Sequence, residues 1–576
     1  MTPTRIPILM LAVLLFLGCN KESPNATMGS EKLIIRVAGI VDEGPENISL
    51  KAASSTRSNS SLDLSNSVIN RDLKEVTLQL SSVEEHTNQA LSDQWNKQTE
   101  EAAATNLVGT PLLASAPKNL LAQTSPNIIT MADDISYRLM LYTKDGDDLR
   151  FQQSLDLKSG TSTSIDIVKG QQYQWYAYSY NTTDNFPALT NTSNPVLAST
   201  FDKELLYDAD SFNLQNEGNY QLLIRFRQQL ARTGLRINSK GIFGNIIDVK
   251  ANHITEIPLV ASNFNLMEGR FTDIVSQHTV SAGDALTLQV NPTNAEIMEA
   301  YYYSSTPATL PTSFQVSITD LTARYEDNST EILIGENGKN TAPQQLTFGG
   351  FSPAVGRSSL GNINLIHGGI NLGGVIWARG NLNYENEEYK LRPNGLFTYF
   401  VSVDENSNNF LRRFGSTDYW FWLAERPNVV RSNWRLNKVD ACARVFPAGT
   451  WRMPSNTDFA ILTNRTTNRA TDFRTRTPNS ANSMYAEFYA RGLSPDDPRT
   501  EKLVFKADGR YDEPSSSLSY ETYALFWSST ENTSLLAFGG SIAYYFRVYN
   551  SAADVTTLLT SLNSRRYNVR CVRRTT

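Results

Sequence analysis

Tyr137-Arg-Leu-Met-Leu-Tyr-Thr143 runs straight into Lys144-Asp-Gly-Asp147. A short Tyr- and Leu-rich run closed by an Asp-Gly turn reads as one arm of a β-hairpin. Runs of the same kind lie on both sides. Downstream are Tyr173-Gln-Trp-Tyr-Ala-Tyr-Ser-Tyr180, Tyr220 to Phe226 and Leu235-Arg-Ile-Asn238; upstream is Lys32-Leu-Ile-Ile-Arg-Val-Ala38. A second series starts near Phe264 and takes in Ala285 to Val290, Ser313 to Ile318 and Thr330 to Ile334, with turns at Asn291-Pro292 and Gly335 to Gly338. Strands at short spacing with frequent turns define a β-sandwich or barrel. Two stretches break the pattern. Residues 51–71 are Ser- and Asn-rich without periodicity and read as a mobile loop. Residues 81–107 are polar with a thin apolar stripe that allows a helical stretch.

Composition agrees with a strand-rich chain of several domains. The 576 residues are 40% hydrophobic and 10% aromatic, enough for real cores, and only 19% charged. The net charge of −6 argues against a nucleic-acid partner. His86, His253, His278 and His367 are far apart and in no zinc-protease spacing, so no metal or cofactor is expected. Gly368-Gly369 and Gly373-Gly374 mark a boundary but lack the strand-to-helix setting of a phosphate loop.

From Gly373 the character changes. Residues 373–576 carry 26 Lys and Arg against 20 Asp and Glu, a net of +6, so the rest carries −12. This stretch holds Trp377, Trp420, Trp422, Trp434, Trp451 and Trp527, and 22 of its 26 basic residues are arginine. Arg with Trp and Tyr is expected to form adaptable contact surface.

The N-terminus reads as a processing signal. Residues 7–18 are an apolar run behind Arg5, too short to span a bilayer. Leu17-Gly18-Cys19 resembles a bacterial lipobox, with Phe16 where the family prefers Leu. The resemblance implies cleavage before Cys19, lipidation of that cysteine and an outer-membrane anchor; the alternative is an ordinary signal peptide with an incidental cysteine. Lys21-Glu22 resembles the export signal of Bacteroidota surface lipoproteins.

Five motifs then occur in order: Trp377-Ala-Arg-Gly-Asn-Leu382, Asp440 to Ser455 (DACARVFPAGTWRMPS), Leu503 to Tyr511 (LVFKADGRY), Phe526-Trp-Ser-Ser-Thr-Glu531 and Val569-Arg-Cys-Val-Arg573. Together they resemble the Fibrobacter succinogenes major paralogous domain, which implies an α+β C-type lectin-like fold. Ser455 is placed to cap a helix with Asp458 in its first turn. Cys442 and Cys571 remain after lipidation, and in an oxidising compartment they suggest one disulfide, as lectin-like folds have; the alternative is two buried thiols. The sugar-binding tripeptides of calcium-dependent lectins are missing, and Pro495-Asp-Asp497 reads as a solvated turn rather than a calcium site. Tyr545, Arg547 and Tyr549 share one face of a late strand and are the candidate ligand contacts, against the plainer reading of a solvated or packing face.

The lipobox, first strand, Ser-rich loop and tandem β domains resemble the fimbrillin superfamily of Bacteroidota pili. That resemblance implies protease processing after an arginine, Arg57 or Arg71, and strand addition from other pilus subunits; both arginines also read simply as solvated loop residues. The expected organisation is mostly β: a signal (1–18), a tether (19–31), two fimbrillin-like β-sandwich domains (32–262 and 263–372) and a C-type lectin-like domain (373–576). The expected protein is a surface lipoprotein acting as a fimbrial tip or adhesin, binding a host, bacterial or glycan ligand. A chain closing just after Cys571 leaves no strand to donate, which favours a tip position. The alternatives are a polysaccharide-binding lipoprotein of a nutrient-uptake system and a protein like the formylglycine-generating enzymes. No enzyme activity is expected.

Overall fold

The computed structural model describes residues 30–42, 69–73, 76–86, 127–189, 191–213, 220–291, 294–326, 328–338, 340–393, 395, 418–427, 438–463, 471–476, 484–497, 500–507, 511–512, 517–518, 523–531, 543–549, 552–558 and 565–573. Cys19, Arg57 and Trp434 lie outside them. The strands in chain order are β1 (Ser30–Asp42), β2 (Ile69–Asp72), β3 (Val76–His86), β4 (Asn127–Ile129), β5 (Ser136–Asp145), β6 (Asp148–Lys158), β7 (Thr163–Val168), β8 (Gln172–Ser179), β9 (Val196–Ala198), β10 (Leu206–Asn213), β11 (Tyr220–Gln228) and β12 (Ala231–Gly241). Next come β13 (Gly244–His253), β14 (Ile257–Asn265), β15 (Arg270–Val280), β16 (Gln289–Asn291), β17 (Asn294–Ser304), β18 (Ser313–Tyr325), β19 (Thr330–Ile334), β20 (Gln344–Gly349) and β21 (Arg357–His367). The last third adds β22 (Ile370–Leu372), β23 (Val375–Trp377), β24 (Leu382–Glu385), β25 (Glu388–Leu391), β26 (Trp451–Arg452) and helix α1 (Asn456–Thr463). It closes with β27 (Thr471–Arg476), β28 (Tyr485–Ala490), β29 (Leu503–Lys506), β30 (Tyr511–Asp512), β31 (Ser517–Leu518), β32 (Tyr523–Glu531), β33 (Ala543–Tyr549), β34 (Ala552–Leu558), β35 (Arg565–Arg566) and β36 (Val572–Arg573). The protein is mostly β, as the strand pattern requires.

Two compact units share the chain. One gathers residues up to Gly39, Thr130–Ser193 and Asp208–Phe226. Its sheet runs β7-β1-β11-β10-β8-β5-β6. The expected hairpin is there: Asp145 pairs with Asp148 around a two-residue loop, and Gly146 takes the positive φ of 61° that such turns need. Tyr137, Leu139, Met140, Leu141 and Tyr142 are all buried, so β5 is covered on both faces. Arg138, within that run, reaches Asp156 through two bonds of 2.5 and 2.8 Å.

The other unit holds Ile40–Ile129, Asn194–Tyr207 and Arg227–Thr576. Its main sheet runs β16-β17-β12-β21-β3-β2, with β12 and β21 parallel and the other pairs antiparallel. Alternation sorts its two faces. Leu80, Ile363, Ile237, Met298 and Val290 form one cross-strand row. The next row, Ser81, Asn362, Arg236, Glu299 and Gln289, is polar in all five strands. The apolar face packs Leu78, Leu80, Leu235, Ile237, Ile363 and Leu365 against Phe314, Val316, Ile318 and Phe348 of the sheet β13-β18-β20. A smaller sheet, β9-β14-β15, completes this body.

Several expectations change. The division at 262/263 falls inside β14, and β12 pairs with β17 and β21 across it. Long-range strand pairing, invisible to local pattern, interleaves the segments. Arg71 is not in a loop: it sits in β2 opposite Leu78 and donates to the Gln345 carbonyl at 2.9 Å. Residues 81–86 are strand, not helix, because β3 pairs along its whole length with β21. Gly373 and Gly374, at φ 62° and 86°, form a tight hairpin turn between β22 and β23.

His367 ends β21 and is buried. Burial first, then the nearby Arg379 and Arg573 guanidiniums, pull its imidazole down from 6.5 to about 3. A depressed folded value means the neutral ring's stabilisation is complete above about pH 6.5. It is lost as the pH falls from there toward 3, at up to about 1.4 kcal/mol per pH unit. Urea unfolding at pH 7 and pH 5 should show the wild type losing about 2 kcal/mol more than His367→Gln. Equal losses in both would contradict this reading.

Candidate ligand-binding face

The C-terminal module is built around its last strand. β36 is flanked by β23 and β26 in the sheet β22-β23-β36-β26. Just before it, Cys571 is bonded to Cys442, with Cα atoms 5.7 Å apart and a sequence separation of 129. Closing a loop of that length stabilises by about 4–5 kcal/mol through lost chain entropy. Cys442 lies in a short helical turn capped by Asp440, whose carboxylate also accepts from the Met453 amide at 3.0 Å.

Arg570 is fully buried. It donates to Asn381 Oδ1 at 2.7 and 3.0 Å and to the carbonyls of Ala378, Arg379 and Val504 at 3.2, 2.8 and 3.0 Å. Its guanidinium also lies 4.8 Å from the Phe505 ring centre and 5.8 Å from that of Phe526. Four of the five motifs thus supply parts of one core. The helix cap is as expected: the Asp458 amide donates to Ser455 Oγ at 3.2 Å, and Asp458 accepts in return from the Ser455 amide at 2.6 Å. Burial would raise the Asp458 carboxyl, but hydrogen bonds from Arg452 and Ser455 outweigh it and hold the group below its ordinary value.

The described tryptophans of this module do not form contact surface. Trp377, Trp420, Trp422, Trp451 and Trp527 are each at most 1% exposed. The indole N–H groups of Trp420, Trp422 and Trp527 donate to the carbonyls of Leu382, Ser528 and Trp420. Arg566, Arg570 and Arg573 are buried with them. A composition rich in Trp and Arg here serves packing, with guanidiniums stacked on buried rings.

β33 is the middle strand of β32-β33-β34. Phe546 and Val548 face a core with Ala524 and Phe526. Tyr545, on the other face, packs against a second core: its ring lies 5.2 Å from Tyr567 and 6.5 Å from Trp527. Arg547 and Tyr549 continue that face half-exposed, with the guanidinium 4.4 Å from the tyrosine ring centre. The three expected contact residues therefore divide into one packing residue and one stacked cationic–aromatic pair. Pro495-Asp-Asp497 is a turn whose Asp496 is held by Arg474 at 2.8 Å and Arg476 at 3.0 Å. Among the described residues no group of three or more His, Cys, Asp or Glu is placed to hold a metal, and no helix is long and apolar enough to cross a membrane.

No family model and no curated protein matches the chain. Among solved structures it is similar to a candidate cell adhesion protein of Bacteroides fragilis, at 15% identity and a TM-score of 0.26, over 46% of this chain and 89% of that one. A candidate cell adhesion protein of Bacteroides ovatus gives 13% and 0.26, over 42% and 86%. The fimbrial anchor protein Mfa2 of Porphyromonas gingivalis gives 12% and 0.18, over 34% and 73%. At these TM-scores the likenesses assign neither fold nor function.

Arg570 offers a direct check on the module. Arg570→Met keeps apolar bulk but strands a side-chain amide and three backbone carbonyls in the interior, so urea titration should show a loss of about 3–5 kcal/mol. Arg570→Lys should recover little, because one ammonium cannot reach the whole set. A loss below about 1 kcal/mol in both would overturn the assignment.

Proposed function

We propose that this chain is a cell-surface adhesin of fimbrial type, lipidated at Cys19 and held to the outer membrane, which binds a protein or glycan ligand through its C-terminal lectin-like module. The observation that carries the reading is the Arg547–Tyr549 pair, half-exposed on a strand whose reverse face is locked into a core. A stacked guanidinium and a tyrosine offer donors and aromatic surface at small entropic cost. The rigid support behind them, closed by the Cys442–Cys571 bond, keeps that surface preorganised. The motif resemblance of residues 377–573 supports the lectin-like assignment.

In a pilus the protein accepts a strand from other subunits and occupies a terminal position. β36 supports this: it is paired on both sides and preceded by the disulfide, so it is not free to be donated. Processing after Arg71 would have to act on a strand engaged with β3. The same disulfide supports a non-catalytic role, since it consumes the thiols that a two-cysteine copper site would use.

Full-length protein on arrays of host proteins, bacterial proteins and glycans identifies the ligand. Arg547→Ala with Tyr549→Ala should then weaken binding at least tenfold, about 1.4 kcal/mol, with the melting curve unchanged. Tyr545→Ala should instead lower stability, because its ring packs on Tyr567. Undiminished binding by the double variant would remove this face from the account.

A further inference from the structure

A second site lies far from β33 in sequence, in the β body. A cleft of about 680 Å³ opens between β15 on one side and β16 and β17 on the other. Its origin is a mismatch of strand lengths. β16 pairs with β17 only as far as Gln289 opposite Glu299, so the β16 side of Tyr301-Tyr302-Tyr303 is left without a β16 partner. β15, the edge of the sheet β9-β14-β15, forms the far wall with Ser276, Gln277 and His278.

The floor is the end of the polar row that crosses the main sheet. Glu299 accepts from the Tyr301 hydroxyl at 2.6 Å and from Asn291 Nδ2 at 2.7 Å, and Arg236 Nε lies 3.5 Å away. Arg236 also donates to the Tyr301 hydroxyl at 3.2 Å. Behind these, the Arg232 guanidinium lies 4.2 Å from the Tyr301 ring centre and pairs with buried Glu204 at 2.9 Å. Gly234 sits opposite Tyr301, where a Cβ would come within 2.8 Å of the ring and 2.1 Å of the Ala300 carbonyl oxygen; only glycine lets the ring lie on the sheet. Burial first raises the Tyr301 phenol, to about 12, so its proton stays in place to be donated to Glu299. The carboxylate at the bottom of the cleft is therefore fixed in direction before anything binds.

The walls are of two kinds. Phe201, Val290 and Tyr302 supply apolar surface, while Gln277, Gln289, Asn291 and Glu299 supply amides and a carboxylate. The arginines lie under the floor, and among the described residues that line the cleft there is no Lys or Arg but two acids, Asp202 and Glu299, a lining that does not favour an anion. Apolar patches for C–H faces, beside fixed acceptors and amides for hydroxyls, are the chemistry of a sugar, and the volume falls in the range of small-ligand sites. We propose that this cleft binds a neutral saccharide, independently of the C-terminal module, giving the protein two separate binding sites.

The test uses full-length protein and calorimetric titration with neutral malto-, cello- and xylo-hexaose, with oligogalacturonate as the anionic comparison. At least one neutral oligosaccharide should bind. Gln289→Ala at the exposed rim should weaken it at least threefold, and Glu299→Gln at least tenfold. Arg547→Ala with Tyr549→Ala should leave it unchanged. If Glu299→Gln disturbs folding, the rim variant alone decides. Failure of all three neutral sugars, preference for oligogalacturonate, or indifference to Gln289→Ala would each overturn the proposal. Loss only in the Arg547/Tyr549 variant would move the sugar site to the other module.

Discussion

The larger unit depends on one strand being held from both sides. β21 pairs antiparallel with β3 from His86 back to Val76 and parallel with β12 from Arg232 onward. The β3 partner lies more than 270 residues away in sequence, but the entropy of closing such a loop grows only with the logarithm of its length. Eleven residues of ladder and the burial of Leu360, Ile363 and Leu365 offset it. Register then becomes decisive, because a one-residue slip would exchange the apolar and polar rows. It would put Arg236, Asn362 and Glu299 into the core of Phe314 and Phe348, at a cost no packing gain could cover.

The same strand passes its order to the C-terminal module. Its last residue, His367, gives its carbonyl to Arg573, whose other branch donates to Thr77 Oγ1 on β3 at 2.6 Å. The closing strand of the module is thereby tied to two central strands of the sheet. A face on β33 inherits this rigidity through the core shared by Phe546, Phe526 and Val572.

What could be read from the sequence was local. The Asp145-Gly146 hairpin, the Ser455–Asp458 cap and the strand from Tyr137 to Thr143 follow from neighbours along the chain and appear as read. Cys442 and Cys571 pair as the count of cysteines and the lectin-like resemblance suggested. What was missed depends on distance. The polar row from Ser81 to Gln289 draws one residue from each of five strands, so no window of sequence contains it. A partial signal existed in Arg232-Thr-Gly-Leu-Arg236, where two arginines and a glycine alternate onto one face, and in the run Tyr301-Tyr302-Tyr303. The tryptophans misled because composition counts rings without saying whether they point in or out.

In the proposed reading the chain is a terminal surface adhesin, with β36 held inside its own module by two neighbouring strands and the Cys442–Cys571 bond. Immunogold labelling of intact cells, with an antibody against the C-terminal module, tests this most directly. The account predicts label on the cell surface at the free ends of fibres, at most one site per fibre. Label repeated at even intervals along fibre shafts would contradict it, because every subunit in a shaft must donate a strand to the next.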